Sequence, residues 1–233
     1  MALNWNASGG DSLKITSNFP SKATYTLSMW VKRTGSMSDF IPVFYRNNAG
    51  DTSWHGLGTS AATDNTWILE TDLTSAEGSA WALGVWQHIA LTKSGADMNF
   101  YIDGTLDITI SSDPTFTEAN LFIGDHLLSV SFLNASIYAP KMWDAVLSAT
   151  ELAMERLYAR AVRRTNLVAE WSLLSSAALH LADMSGNGRN LALAGTLIDV
   201  NEPNIKWQYP YPREDYSQFP KQNLRVPEDA WGR

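Results

Sequence analysis

An all-β sandwich of two antiparallel sheets with one short helix is what this 233-residue sequence predicts, and three observations carry that prediction. Short segments in which apolar and polar residues alternate recur along the first two hundred residues, separated by clusters of Gly, Asn, Asp and Ser. Two of these segments flank Asp103-Gly104. Asp-Gly between alternating runs is the strongest short hairpin signal, because both loop positions take positive φ, which Asp tolerates and Gly adopts freely. Only the stretch after Leu147 shows helix chemistry.

The elements follow in order. Ser12–Ile15 reads as a strand, and residues 25–31 place Tyr25, Leu27, Met29 and Val31 on one face. Strands are expected at 41–45, 66–69 and 86–92, then at 98–102, where Met98, Phe100 and Ile102 alternate with Asn99 and Tyr101. After the Asp-Gly turn, Leu106, Ile108 and Ile110 resume the alternation, so Asp103 is assigned to turn geometry rather than to a ligand. Segments at 121–123, 130–133, 137–142, 167–173 and 190–193 complete the set, most of them rich in β-branched or aromatic residues. So many short strands mean a sandwich or a jelly roll. Ser148 and Glu151 form a Ser-x-x-Glu capping box, followed by Leu152, Leu157 and Ala161 among good helix formers, which predicts a helix to about Arg164. Glu151 and Glu155 near its start and Arg160, Arg163 and Arg164 near its end suit the helix dipole; a basic docking face is the alternative reading.

With 45% hydrophobic residues, the chain can bury a sizeable core, and one domain spanning 1–200 accounts for the whole strand pattern. A formal charge of −7 weighs against nucleic acid or an anionic membrane as partner, since phosphate binding is carried by clustered Lys and Arg. The absence of cysteine excludes a disulfide framework and a thiolate zinc site. The N-terminal MALNWNASGGDSLKI has neither a basic n-region nor an apolar h-region, so no secretory leader is expected, and no apolar run reaches membrane-spanning length.

The segment 201–233, NEPNIKWQYPYPREDYSQFPKQNLRVPEDAWGR, follows neither a two-residue nor a 3.6-residue period. It holds five of the nine prolines together with Trp207, Tyr209, Tyr211, Tyr216, Phe219 and Trp231. Disordered linkers are poor in aromatics, so this segment is expected to be an extended arm lying on its own domain or on a neighbour. Its five basic and five acidic residues balance, so electrostatics does not place it.

Several motifs together carry a family resemblance: WVKRTG at 30–35, WQHIALTKSG with YIDGTL, LFIGD at 121–125 and ASIYAPKMWDAVLSATEL at 135–152. Their order and spacing resemble the laminin G-like branch of the concanavalin A-like lectin and glucanase superfamily, over roughly residues 10 to 200. The resemblance implies a concanavalin A-like jelly-roll sandwich in which the Trp-x-His strand and the Tyr-x-Asp-Gly hairpin are structural core and the capped helix closes one edge. LVAEWSLL with ADMSGNGRN, Leu167 to Asn190, is similar to a stretch that opens the domain in that family. Its late position here leads us to expect its strands to pair with the N-terminal ones in a permuted manner.

Function lives in sites, and the resemblance spans glycosidases, calcium-dependent lectins, adhesion modules and structural domains. Glycoside hydrolysis needs two carboxylates flanking the sugar. The nearest candidates are Glu70 and Asp72, and the further acid that the glucanases would require is replaced by Thr74 and Ser75, so no enzyme is expected and no catalytic residue is assigned. His55, His88, His126 and His180 lack zinc spacing, and His88 on a strand reads as structural. No cofactor is required; calcium is the open option, through Asp183, Ser185 and Asn187 alternating in ADMSGNG, where Asx turns explain the same residues. Asp125, closing LFIGD near a rim where relatives bind ions, is the second calcium candidate. For sugars, which stack on aromatic faces, the loop 51–56 with Trp54 and His55 is the candidate ligand site, with burial of Trp54 as the alternative. The expected role is a non-catalytic structural or adhesion protein, a subunit of a particle such as a bacteriophage virion (decoration, head or tail). It would dock on neighbouring subunits through Trp207, Tyr209, Tyr211, Tyr216, Phe219 and Trp231, and so reside in a virion or other extracellular particle. The alternative is a free carbohydrate-binding or adhesion module whose partners are surface glycans.

Overall fold

The computed structural model describes residues 2–5, 11–15, 19, 23–37, 41–48, 52–60, 65–111, 118–124, 133–174, 177–201 and 203. Fifteen strands are found among them: β1 (Ala2–Trp5), β2 (Ser12–Ile15), β3 (Thr24–Arg33), β4 (Ile41–Asn48), β5 (Trp54–Ser60), β6 (Thr66–Thr71), β7 (Ser75–Ala80), β8 (Trp86–Ser94), β9 (Asp97–Ile102), β10 (Thr105–Ser111), β11 (Glu118–Ile123), β12 (Ala135–Trp143), β13 (Leu167–Glu170), β14 (Ala192–Ala194) and β15 (Ile198–Val200). One helix, α1 (Ala149–Glu155), precedes β13, and a single turn, α2 (Ala178–Leu181), follows it. The strands form two antiparallel sheets. In the first the order is β10-β9-β8-β3-β12-β1-β15, with β13 also on β12; in the second it is β14-β2-β11-β4-β5-β6-β7. No helix among the described residues is long and apolar enough to cross a membrane.

Alternation builds the interior. Across the second sheet the register aligns Leu13, Ile123, Phe44, Leu57 and Leu69 on one face, and across the first it aligns Met142, Leu27, Leu91 and Phe100. All of them are buried in one cluster between the sheets. Each such side chain contributes about 1.5 to 3 kcal/mol on leaving water. Trp67 of the second sheet stacks on Trp81 at 4.3 Å and meets Phe100 of the first at 5.2 Å, joining the layers. Along one edge the sheets nearly touch: Ser79 N–H donates to Asp107 at 2.9 Å, and a Cβ on Gly78 would collide with Asp107 and Ile108.

The Asp-Gly hairpin forms as the residues dictate, with φ of +52° at Asp103 and +85° at Gly104. Asp103 does more than turn the chain: its Oδ1 accepts the His88 N–H at 3.1 Å, and its carbonyl accepts from Arg156 at 2.8 Å, tying the turn to the end of α1. The late stretch does not itself make the permuted pairing, since its strand β13 pairs with β12; the strands that follow it do. β14 pairs with β2 and β15 with β1, so C-terminal strands complete both N-terminal ones. β12 serves two neighbours on one side because a bulge at Ala139, with φ of +49°, divides it, and β1 takes its first half while β13 takes its second.

α1 carries the capping box: Glu151 N–H donates to Ser148 Oγ at 3.3 Å, and Ser148 N–H donates to the Glu151 carboxylate at 2.8 Å. That bonding holds Glu151 below the ordinary carboxylate range. Leu152 packs with Trp143 and Ala90 on the outer side of the first sheet. The helix stops at Glu155 instead of running to about Arg164. Lys141, buried on β12, donates to the carbonyls of Glu155 at 3.2 Å, Tyr158 at 2.7 Å and Arg160 at 3.4 Å, and to the Glu155 carboxylate at 2.8 Å. Carbonyls gathered on one ammonium cannot all point along a helix axis. The basic residues are used otherwise than the dipole reading supposed: Arg160 and Arg164 pair with the buried Glu170 at 3.0 and 2.7 Å, and Arg163 pairs with Glu151 at 2.8 Å.

Candidate functional site on the outer face of the second sheet

Residues one position out of phase with the core line the outer side of the second sheet. Phe122, between core residues Leu121 and Ile123, points outward opposite Tyr45, and Tyr45 stands opposite Gly56. Trp54 opens β5 opposite Asn47, just after a turn in which Asn48 Nδ2 donates to Thr52 Oγ1 at 2.8 Å and Thr52 N–H donates back to Asn48 Oδ1 at 2.9 Å. The half-buried Trp54 ring stacks on Tyr45 at 5.4 Å, and Tyr45 meets Phe122 edge-on at 6.0 Å. Three rings therefore form a continuous strip. Gly56 and Gly58 beside it carry no side chain to fill the surface.

Polar groups border the strip. Asn120 donates its amide to Asn47 Oδ1 at 2.8 Å, fixing both side chains. Lys14 lies opposite Phe122 at one end of the row, and Glu70 lies opposite Gly56 at the other. Glu70 is about half-buried, and burial raises its carboxyl above the ordinary value. Its neighbours in register are Gly56 and Ser75, neither of them an acid, and Asp72 sits exposed on the following turn. The arrangement can stack a flat apolar surface on the half-buried Trp54 and offer the Glu70 carboxyl beside it, with Tyr45, Phe122, Asn47 and Asn120 buried as its support.

His55, paired in expectation with Trp54, is turned the other way. Adjacent residues on a strand face opposite sides, so His55 lies inside, stacked on Tyr25 at 5.9 Å with its Nε2 at 2.5 Å from the Tyr25 hydroxyl. Burial first, then Arg46 and Lys93, push its imidazole well below the ordinary value. Arg46 shares that interior row, its guanidinium 5.0 Å from the Phe19 ring and 5.3 Å from that of Tyr25. His55 is thus a neutral core residue, closed to a surface ligand.

The glycine-rich loop holds its own hydrogen bonds. The Asp183 carboxylate accepts from Glu170 N–H at 3.0 Å, Ser185 N–H at 2.9 Å, Ser185 Oγ at 2.8 Å and Arg189 N–H at 3.0 Å. Asn187 donates to the carbonyls of Leu167 and Val168, both at 3.0 Å. These are Asx-type turns that bind the loop to β13, and a cation there would have to displace them. Asp125, Trp207, Tyr209, Tyr211, Tyr216, Phe219 and Trp231 lie outside the described residues. Tyr45, Phe122, Asn47 and Asn120 went unselected in the sequence; the signal for them was an aromatic standing at the polar phase of an alternating strand.

Solved structures with this fold include a Bacteroides ovatus protein described as carbohydrate binding, with TM-score 0.64 and 14% identity over 89% of this chain and 61% of that one. A heptameric pentraxin from Limulus polyphemus gives TM-score 0.55 and 13% identity, covering 84% of this chain and 94% of the pentraxin. Trypanosoma rangeli sialidase gives 0.50 and 14% over 57% of this chain, which spans 22% of the sialidase's length. Such identities speak for the fold alone. No curated protein matches the chain in sequence. A sequence profile described as the concanavalin A-like lectin/glucanases superfamily matches residues 7–153, and with the two-sheet sandwich this places the chain as a member of the concanavalin A-like lectin/glucanases superfamily.

Proposed function

We propose that the protein is a non-catalytic carbohydrate-binding module whose platform is the half-buried Trp54, backed by the buried rings of Tyr45 and Phe122. The carrying observation is the half-buried Trp54 ring stacked at 5.4 Å on Tyr45, a rigid aromatic face held from beneath by the buried Asn47–Asn120 pair and accompanied by the half-buried Glu70. Aromatic faces take the apolar side of a pyranose, and a carboxyl beside them reads its hydroxyls. With one cation and one acid at opposite ends of the row, the ligand class is a neutral oligosaccharide. The description of the Bacteroides ovatus protein of the same fold as carbohydrate binding agrees with this reading. Glu70 without a second acid in register supports the absence of hydrolysis.

Titration of neutral β- and α-linked oligosaccharides, followed by calorimetry, tests it. Trp54→Ala should cost about 2 kcal/mol, a loss of roughly thirtyfold in affinity, with the melting temperature nearly unchanged. Binding that survives Trp54→Ala, or reducing-end release that disappears in Glu70→Gln, overturns the reading. A second reading, membership of a virion or similar particle through the arm, rests on the six aromatics gathered in 201–233. Native electron microscopy of the assembled source material tests it.

A further inference from the structure

One side-chain amide fastens the far end of the loop 183–189 to β13. Asn187 Nδ2 donates to the carbonyls of Leu167 and Val168 and to Ser185 Oγ, each at 3.0 Å. Arg189 adds its guanidinium to the same Val168 carbonyl, and its own carbonyl accepts the indole N–H of buried Trp171 at 2.7 Å. Trp171 belongs to the core between the sheets, so this latch closes over the interior.

The latch is built on a reactive step. Asn187 precedes Gly188 in the single Asn-Gly pair of the sequence, and both residues are exposed. A backbone nitrogen attacks the side-chain amide carbon of a preceding asparagine most readily when its own residue has no Cβ to obstruct the approach. A Cβ at Gly188 would meet nothing within 4 Å, so no neighbouring group shields the position either. The flanking N–H groups are engaged: Ser185 and Arg189 donate to the Asp183 carboxylate at 2.9 and 3.0 Å, and Asn187 donates to Ser185 Oγ at 3.2 Å. Among the described residues the Gly188 N–H has no such acceptor.

We propose that Asn187 is a self-modification site, at which attack by the Gly188 nitrogen irreversibly releases the latch on β13. The bond from Gly188 N to Asn187 Cγ forms, the Cγ–Nδ2 bond breaks, and the displaced nitrogen takes the Gly188 proton and a second proton from water's exchange to leave as ammonia. Water then opens the succinimide to aspartate or isoaspartate, with no oxidant or cofactor. The product has no Nδ2 to donate, and it sets a carboxylate where the Leu167 and Val168 carbonyls require a donor. Because three hydrogen bonds hold the amide in place, the rate follows how often the loop lifts from β13.

Mass spectrometry of the full chain, aged at mildly alkaline pH and then cut by trypsin, tests the site. Cleavage after Arg164 and Arg189 yields the peptide 165–189, which carries both Asn187 and Asn166, the latter followed by Leu167. Fragment masses should place the amide-to-acid gain at Asn187 several-fold faster than at Asn166. Asp183→Ala, which frees the Ser185 and Arg189 N–H groups, should speed the conversion further. Asn187→Asp should melt several degrees below the unmodified chain, and the acidic species separated by charge from the aged chain should melt lower in the same way. Conversion at Asn187 no faster than at Asn166 overturns the site. A rate unmoved by Asp183→Ala overturns the control by the loop, and an aged acidic species that melts with the intact chain overturns the release.

Discussion

Replacing Lys141 by methionine removes an ammonium on which the segment after α1 converges. Lys141 and Glu155 are each 1% exposed and pair at 2.8 Å, and the same ammonium holds the Tyr158 and Arg160 carbonyls. Burial is the largest influence on Lys141 and draws it below the ordinary lysine value, with Glu155 pulling the other way, so the pair sits in a site where an isolated charge is costly. Methionine fills nearly the same volume, which leaves electrostatics and hydrogen bonding as the change. Breaking a buried pair from one side costs about 3 to 5 kcal/mol. For a domain of this size each kcal/mol lowers the melting temperature by about 2 to 4 °C, so Lys141→Met should melt roughly 10 °C lower in calorimetry. Glu155 also accepts the N–H groups of Val162 at 2.9 Å and Arg163 at 2.8 Å, a task that a neutral glutamine can keep. Lys141→Met/Glu155→Gln should therefore recover much of the loss. A single variant that melts with the wild type, or a double variant less stable than the single, refutes this account.

Acid should destabilise the fold before its carboxylates titrate. Burial holds His55 and His88 well below the ordinary value of 6.5, so the folded state stays neutral while the unfolded chain protonates; the stability they confer is present above pH 6.5 and lost below it. The slope reaches at most about 1.4 kcal/mol per pH unit for each histidine, and urea midpoints that stay flat from pH 7.5 to 5 contradict it. Gly124→Ala should be far more damaging than Gly188→Ala in chemical denaturation: both have positive φ, but a Cβ at 124 strikes the Trp5 indole and one at 188 meets open space. Equal losses contradict the contact. Asp183→Ala should cost about 2 to 3 kcal/mol through its lost hydrogen bonds, and calcium should change the melting temperature only modestly; a steep calcium-dependent rise abolished by Asp183→Ala reverses that reading.

What was legible in the residues is what local chemistry decides. Asp103-Gly104 and the Ser148–Glu151 box form in the structure because a turn and a cap are fixed by a few neighbouring groups. β5 was missed because Gly56 and Gly58 interrupt its pattern, and without it Trp54 and His55 read as one loop rather than as opposite faces of a strand. β7, with sequence SAEGSA, has no large apolar residue to mark it. The helix end was misplaced because Ala, Leu and Arg favour helix, whereas the stop comes from Lys141, which is distant in sequence. Tertiary contacts override propensity in this way. The aromatic strip needed the register, since Tyr45 and Phe122 meet only after β4 pairs with β11.

The pairing of β14 with β2 and of β15 with β1 also sets a timetable for the nascent chain. Leu3 emerges from the ribosome early but pairs with Ile137, and Ala2 then waits for Val200. At about 5 to 20 residues per second, these first strands wait roughly six seconds or more for β11 and β12, and longer for β14 and β15. Their apolar residues, Leu3, Trp5 and Leu13, end fully enclosed between the sheets, so during translation they are the surfaces a holding chaperone would meet. Both early strands are therefore enclosed on their second side only when residues 192–200 arrive.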